Sequence, residues 1–167
     1  KMIIPQQIMA YCHAIGTFGA DYRWMAFIDI DEYLVPINQP DLNSALGQLS
    51  DYSNISLPWV MFGPSGHEVP PDEATPFAYF LKARRQEGDL LNFKCIIDPS
   101  KVSQVSVHKF QTTDMGEASV NTLGFLASCY KNRTARRFLT AGTIQLNHYY
   151  SRSLKELSDK LDKGAVS

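Results

Sequence analysis

One stretch near the beginning of the chain constrains the fold more than any other, because an apolar run ends there in a cluster of acids. Residues 24–28 (WMAFI) have the length and composition of a strand that is buried on both faces. Asp29, Asp31 and Glu32 follow directly. Because side chains alternate along a strand, Asp29 and Asp31 are expected to point the same way if both belong to the extended strand end.

Carboxylates that lie side by side at the end of a buried strand need a partner. They repel each other, and burying them without water, a cation or a metal costs free energy. Mg²⁺ and Mn²⁺ prefer oxygen ligands and bridge readily to phosphates, so Asp29 and Asp31 are candidate ligands of a divalent ion. The alternative is an acidic strand exit that only solvates a turn, since a bare Asp-x-Asp pattern is common by chance.

The composition indicates one globular domain over residues 1–167. Hydrophobic residues make up 44% of the chain and charged residues 20%, which argues against disorder. The net charge of −1 gives no reason to expect nucleic-acid binding. No apolar run is long enough to span a membrane, so we expect membrane association only through segments outside this chain. Because the chain begins with Lys1, inside what reads as a structural element, we expect a piece of a longer protein.

Three cysteines, Cys12, Cys95 and Cys129, lie far apart in the sequence. Their odd number and the lack of a Cys-x-x-Cys pair argue against a disulfide framework and a structural zinc site. We therefore expect reduced thiols and a cytoplasmic location, or a position at the cytoplasmic face of a membrane.

Hydrophobic periodicity predicts an α/β chain. Helices are predicted at residues 5–17, at 42–49 with Asp41 as the N-cap, and at 153–164. Ser153 and Glu156 form a capping box in the last of these, and Leu154, Leu157 and Leu161 are expected to dock it. Strands are predicted at 55–62, 77–83, 93–97, 102–110 and 143–150. Pro58 is expected to confine the first of these to a sheet edge or a bulge. For residues 123–130 the sequence does not decide between helix and strand.

In their order along the chain, several motifs resemble the family 2-like and family 92 glycosyltransferases. The resemblance covers nearly all of the chain. The motifs are Trp24-x-x-Phe27-Ile28-Asp29-x-Asp31-Glu32-Tyr33-Leu34, Trp59-x-x-Phe62-Gly63-x-x-Gly66, Lys94-x-Ile96-Ile97-x-Pro99-x-x-Val102, His108, and His148-Tyr149-x-x-Arg152-Ser153 with Lys160 and Gly164.

This resemblance implies a GT-A-like mixed sheet flanked by helices, which binds a nucleotide sugar and Mn²⁺ or Mg²⁺. It also implies inverting transfer of the sugar to a hydroxyl of a glycan or another acceptor and, in a eukaryote, a place in the Golgi lumen. Only about one helix precedes the Asp-x-Asp stretch, whereas such enzymes have several strands and helices there. We therefore expect the chain to be the C-terminal part of the catalytic domain, without the N-terminal nucleotide-binding half.

The resemblance and the chemistry together assign candidate roles. Glycosyl transfer must stabilise a leaving diphosphate, which a metal can do as a Lewis acid. His148 is a candidate third metal ligand or a contact to the diphosphate, and it is expected to face the same pocket as Asp31. Arg152 and Lys160 are expected to add positive charge at the leaving group. Inversion needs a general base, for which the candidates are Glu32, His67 and Glu68. The candidate contacts to the sugar are Trp59 and Gly66.

Two other functions compete with this interpretation. A non-catalytic carbohydrate-binding or scaffold domain becomes more plausible if the chain is natively this short. A metal-dependent phosphoryl hydrolase also uses clustered aspartates, but it needs further acids or histidines for a second metal, and the other acids of the chain show no such cluster.

Overall fold

The structure is a computed structural model that describes residues 6–72, 76–81 and 92–163. The helices in this part of the chain are α1 (Gln6–Phe18), α2 (Leu42–Gly47) and α3 (Leu154–Asp162). The strands are β1 (Met25–Ala26), β2 (Glu32–Pro36), β3 (Asn54–Met61), β4 (Phe93–Ile97), β5 (Val102–Val105), β6 (Phe110–Thr112), β7 (Ser119–Val120), β8 (Leu126–Ala127) and β9 (Ile144–His148).

Most of the strands belong to one mixed sheet, which confirms the predicted α/β class. Within the described residues it has seven strands: five follow the order β1-β4-β3-β7-β8, and β9 pairs with β2 and with β3. The β3–β7 pairing is parallel, whereas β1–β4, β3–β4 and β7–β8 are antiparallel. Strands β5 and β6 form a separate antiparallel pair.

The chain divides into two compact units. The larger unit comprises residues 1–28, 34–59 and 91–146, and the smaller unit comprises residues 29–33, 60–90 and 147–167. Both faces of β4 are buried in the larger unit. Ile96 packs with Ile55 of β3 in one apolar cluster, while Cys95 and Ile97 on the opposite face pack with Tyr11 of α1.

A small aromatic core holds the smaller unit together. Phe62, Tyr79 and Tyr149 are buried in one cluster, and the rings of Phe62 and Tyr149 stack with their centroids 4.8 Å apart. Tyr33 meets Tyr149 edge-on at 5.6 Å. Aromatic pairs at such distances add favourable contacts beyond the area that they bury.

Local patterns predicted several elements to within one or two residues. These are α1, α2, β3, β4, β9 and α3, and the Asp41 cap is confirmed because Asp41 Oδ1 accepts from Ser44 N at 2.7 Å. The capping box of α3 is also confirmed. Residues 5 and 164, at the outer ends of two predicted helices, lie outside the described residues.

The predicted strand at residues 24–28 is wrong in both length and burial. Only Met25 and Ala26 are in β1, Ala26 is exposed, and Ile28 is 38% exposed. The reason is that, within the described part of the chain, β1 lies at the end of the strand order and has β4 as its one paired neighbour. An edge strand of two residues cannot have neighbours on both sides.

Three other strand predictions also differ from the structure. Pro58 does not lie in an edge strand, because β3 has β4 and β7 as neighbours. It does not lie at a bulge either, because the register between β3 and β4 is unbroken up to its last pair, Pro58 and Phe93. The predicted strand 102–110 is two strands with a break between them. Of the predicted strand 77–83, residues 77–78 belong to the 3-10 turn Pro76–Ala78, residues 79–81 have no regular structure, and residues 82–83 lie outside the described part. Residues 123–130 contribute the short strand β8.

No helix among the described residues is both long and apolar enough to cross a membrane.

Candidate functional site

Asp31 lies in a turn at the start of β2, at the centre of a charged cluster in the smaller unit. The backbone N–H of Glu32 donates to the carbonyl of Asp29 at 3.0 Å and closes the turn. Asp29 and Asp31 therefore do not continue an extended strand, and the predicted common direction of their side chains has no basis in strand alternation. The backbone carbonyl of Asp31 accepts from Tyr149 N at 2.9 Å, which fixes the turn beside the end of β9.

Both carboxylate oxygens of Asp31 have a basic neighbour. Lys160 Nζ donates to Oδ2 at 2.9 Å, and His148 Nε2 lies 3.5 Å from Oδ1. Partial burial raises the pKa of Asp31, but the hydrogen bond from Lys160 and the positive charges of His148 and Lys160 outweigh it, so the pKa lies below its ordinary value. Asp31 is therefore held in the ionised form at neutral pH.

His148 and Asp31 are close neighbours in the smaller unit. His148 is the last residue of β9 and is buried, and its ring meets Tyr150 edge-on with centroids 5.7 Å apart. The 3.5 Å distance to Asp31 is short enough for both side chains to belong to one coordination shell or one hydrogen-bonded pair.

Helix α3 positions Lys160, but not through the leucine stripe that the sequence predicts. Leu154 is 53% exposed and Leu161 is 58% exposed, so the expected docking by these leucines is wrong. The inward face instead consists of Ser153, Glu156, Leu157 and Lys160, whose spacing also follows one side of a helix.

Polar contacts replace apolar docking because each inward charge has a partner. Glu156 Oε2 accepts from the Ser153 backbone N–H at 3.1 Å and from the Tyr79 hydroxyl at 3.0 Å. Lys160 Nζ lies 3.7 Å from the centroid of the Tyr150 ring, in addition to its bond with Asp31. A helix can bury such a face when its charges are paired and hydrogen-bonded.

A cavity of about 120 Å³ in the smaller unit lies beside Asp31. Its other lining residues include an arginine, an acid and several rings: Tyr33, Pro76, Tyr79, Tyr149, Arg152 and Glu156. Sequence reasoning assigned no site role to Tyr33, Tyr79, Tyr149 or Glu156. The sequence signals among them were the family-like motifs that contain Tyr33 and Tyr149 and the capping box that contains Glu156, and neither kind of signal reveals the cavity.

Arg152 lines this cavity with an unusual backbone conformation. Its φ of +44° lies in the left-handed region, which a residue with a side chain adopts at a cost. Its Nη1 is 3.4 Å from Glu156 Oε1. The predicted pair Arg152 and Lys160 thus lies in the same unit as Asp31, with Arg152 lining the cavity and Lys160 bonded to Asp31.

The three candidate bases lie in different environments of the smaller unit. Glu32 is buried, and its Oε2 accepts from Asp29 N at 2.9 Å. His67 is partly buried, with Nε2 3.1 Å from the Ala78 carbonyl and its ring edge-on to Tyr79. Glu68 is exposed. None of the three is among the described residues that line the Asp31 cavity.

The two predicted sugar contacts are also separate from the cavity lining. Gly66 forms part of a tight turn with φ +87°, a conformation that glycine adopts without strain. Trp59 belongs to the larger unit, where it packs against the buried aliphatic cluster and meets His108 edge-on at 5.7 Å.

No group of three or more His, Cys, Asp or Glu side chains comes together as a metal site within the described ranges. Two of the predicted ligands, Asp31 and His148, lie 3.5 Å apart. An ion at this pair would therefore need further ligands.

Comparison with known proteins identifies the family of this chain. No curated protein matches it. Among models of protein families, the one described as Glycosyltransferase family 92 matches residues 3–163. This match includes the turn that carries Asp31, the end of β9 that carries His148, and the whole of α3. Because the match extends over nearly the entire sequence, the chain belongs to glycosyltransferase family 92 and is a glycosyltransferase domain that acts between a sugar donor and an acceptor.

Proposed function

We propose that this chain carries the catalytic centre of a metal-dependent, inverting glycosyltransferase. It would move a sugar from a nucleotide sugar to a hydroxyl group of a glycan or another acceptor. One observation carries the proposal: the Asp31 carboxylate lies between His148 and Lys160, beside a cavity that Arg152 also lines. This arrangement combines metal-ligating groups with cations that suit a diphosphate.

The donor pair fits a divalent ion that is shared with a substrate. Asp31 offers a carboxylate oxygen and His148 an imidazole nitrogen, 3.5 Å apart. Mg²⁺ and Mn²⁺ are commonly held by one or two protein ligands plus phosphate oxygens and water, and the imidazole favours Mn²⁺ over the harder Mg²⁺. Asp29 is the proposed additional ligand. When bound, the ion would neutralise the negative charge that develops on the leaving diphosphate.

The lysine and the arginine would act on the same leaving group. Lys160 is 34% exposed, so its ammonium can reach an anion while it remains bonded to Asp31. Arg152 offers a guanidinium that can bind two phosphate oxygens at once. Because both cations are supplied by the fold before the substrate arrives, they stabilise the departing charge without reorganisation.

The general base is proposed among Glu32, His67 and Glu68. His67 has the strongest support, because its ring contacts Tyr79, which lines the Asp31 cavity. Glu68 is exposed and lies next in the chain. Glu32 is buried and already accepts a backbone hydrogen bond, so its substitution would also disturb the turn.

One observation favours the competing proposal of a non-catalytic carbohydrate-binding domain. Lys160 already neutralises Asp31, and a positive side chain beside a carboxylate weakens the binding of a metal ion there. A phosphoryl hydrolase has less support. Such an enzyme needs ligands for two metal ions, and the described residues contain no group of three or more His, Cys, Asp or Glu side chains that could hold one.

The test is transfer by the full-length protein, measured with a panel of nucleotide sugars, with and without Mn²⁺, and with Asp31→Asn beside the parent. The proposal expects metal-dependent transfer that Asp31→Asn abolishes while the fold is retained. Asp159→Asn is a matched control, because Asp159 is exposed and pairs only with Lys155 in the described structure. Equal metal-dependent turnover by Asp31→Asn and the parent would rule out the role of Asp31. Calorimetry that detects binding of a glycan, but neither binding of Mn²⁺ and UDP nor transfer, would favour the carbohydrate-binding domain.

A further inference from the structure

A hollow of about 660 Å³ on the larger unit has a basic and partly aromatic lining. We call it the basic hollow and define it by six of its lining residues: Phe125, Leu126, Ser128, Lys131, Asn132 and Arg137. We propose that the basic hollow binds an acidic saccharide, which in the context of the proposed transfer would be part of the acceptor.

The sequence around the basic hollow is strongly biased in charge. No Asp or Glu occurs between Glu117 and the end of β9, whereas this stretch holds four Lys and Arg residues: Lys131, Arg133, Arg136 and Arg137. No carboxylate lines the basic hollow, and none in the described ranges pairs with Lys131 or Arg137. These two cations are therefore available to an anion from solution.

One buried arginine decides which side chains face the basic hollow. Arg133 points into the larger unit, where Nη1 donates to Ser56 Oγ at 3.2 Å and to the His108 carbonyl at 3.1 Å, and its guanidinium lies 4.2 Å from the Phe93 ring centroid. In the 3-10 turn Tyr130–Thr134, the two residues before Arg133, Lys131 and Asn132, are consequently turned outward and are exposed.

One buried amide holds both walls of the basic hollow in place. Asn121 Oδ1 accepts from the backbone N–H groups of Leu123 and Phe125, each at 3.0 Å. Its Nδ2 donates to the carbonyls of Arg137 at 3.0 Å and Phe138 at 3.2 Å. The same side chain therefore ties the segment that carries Phe125 to the segment that carries Arg137. Because the site is formed before a ligand binds, less free energy is spent on ordering these segments at binding.

The lining favours a saccharide over a bare anion. Phe125 is 43% exposed, and the Arg137 guanidinium lies 6.0 Å from its ring centroid. An exposed ring of this kind offers an apolar face to the C–H groups of a sugar, and the neighbouring amide and hydroxyl groups can bond its hydroxyls. The two cations then require a carboxylate, sulfate or phosphate group on that sugar.

The experiment measures binding to the full-length protein by calorimetry at low salt, without nucleotide sugar or divalent ion. The probes are tetragalacturonate, a neutral galactose tetramer of equal length, and inorganic phosphate. We expect the acidic tetramer to bind more tightly than the other two. The Lys131→Gln/Arg137→Gln double variant should weaken that binding about tenfold or more, since two charge-assisted contacts are lost.

Two further variants make the test specific. Arg136→Gln is the matched control, because Arg136 is exposed in the same segment and does not line the hollow, and it should change the affinity by less than about twofold. Phe125→Ser should weaken the acidic tetramer but not phosphate. The proposal fails if the neutral tetramer binds as tightly as the acidic one, if phosphate alone matches the acidic tetramer, or if Arg136→Gln costs as much as the double variant. Because no transfer is measured, these failures leave the proposed catalytic function untouched.

Discussion

The ammonium of Lys160, in the last turn of α3, lies 2.9 Å from the Oδ2 of Asp31, in the turn before β2. These residues are 129 positions apart in the sequence. Only 12% of the Asp31 side chain is exposed, so its charge depends on this contact more than a surface carboxylate would. The ion pair therefore has both a structural and a proposed catalytic role, and substitutions can separate the two.

Lys160→Met should lower the free energy of unfolding by about 1–3 kcal/mol, because it leaves a mostly buried carboxylate without its hydrogen-bonded cation. If Lys160 also stabilises the leaving group, turnover per folded molecule should fall in the same protein. Urea unfolding and a transfer assay on the full-length variant measure both quantities. Lys155→Met is the control, because Lys155 forms an exposed pair with Asp159 that contributes only about 0.3–0.5 kcal/mol. Lost stability with unchanged turnover would make Lys160 a purely structural residue.

Leu154→Ala and Leu161→Ala should each cost less than about 1 kcal/mol, since both side chains are more than half exposed in the structure. Glu156→Ala should cost more, about 1–3 kcal/mol, because it removes the capping box and the acceptor of the Tyr79 hydroxyl. Chemical denaturation ranks the three variants. Larger losses at the leucines than at Glu156 would mean that α3 docks by its apolar stripe after all.

Arg152→Gly should leave the fold intact and change stability by no more than about 1 kcal/mol. Glycine relieves the cost of the +44° φ, while the exposed contact with Glu156 that is lost contributes little. Under the proposed role, transfer should nevertheless decrease because a cation is lost from the cavity. Arg152→Ala is the matched variant: it removes the same cation but keeps the strained backbone, so it should be the less stable of the two. Equal melting temperatures of the glycine and alanine variants would contradict the strain.

The stability of the protein should depend on Asp31 at acid pH. Burial raises the pKa of Asp31, but Lys160 and His148 lower it by more than burial raises it, so the pKa of Asp31 in the folded state lies below the ordinary 3.8. A carboxyl group whose folded pKa is depressed contributes stability above its unfolded pKa, and this contribution is lost as the pH falls through the folded pKa. Urea unfolding between about pH 2 and pH 6 should therefore show a steeper loss below about pH 4 in the parent than in Asp31→Asn. Parallel curves for the two proteins would count against the depressed pKa.

Asp114 offers a direct titration test in the larger unit. Burial raises its pKa, but the hydrogen bonds from Lys101, Ser53 and Thr112 lower it more, so the pKa is about 2. Lys101 Nζ lies 2.7 Å from Asp114 Oδ2. Carboxyl chemical shifts followed by NMR should titrate near this value in the parent, and Lys101→Met should raise the pKa toward 3.8. A midpoint that stays the same in Lys101→Met would show that Lys101 is not responsible.

The sequence by itself determined the elements whose signals are local. The Asp41 cap and the Ser153–Glu156 capping box each involve residues three positions apart, and both are present in the structure. The bounds of β4 were predicted from its mostly apolar residues, and the strand is buried along its whole length, Lys94 included. The motifs that resemble family 92 include both Asp31 and His148, which lie 3.5 Å apart in the structure.

Tertiary structure decided what no local pattern contains. The acids after β1 lie in a turn, and β1 is a short edge strand, because strand order rather than composition determines how many neighbours a strand has. The inward face of α3 carries Glu156 and Lys160 beside Leu157, instead of Leu154 and Leu161, because the two charged side chains contact Tyr79 and Asp31, which are 77 and 129 residues away. Periodicity measures apolar side chains along one element, whereas the free energy of burying a charge depends on partners that only the folded chain brings together.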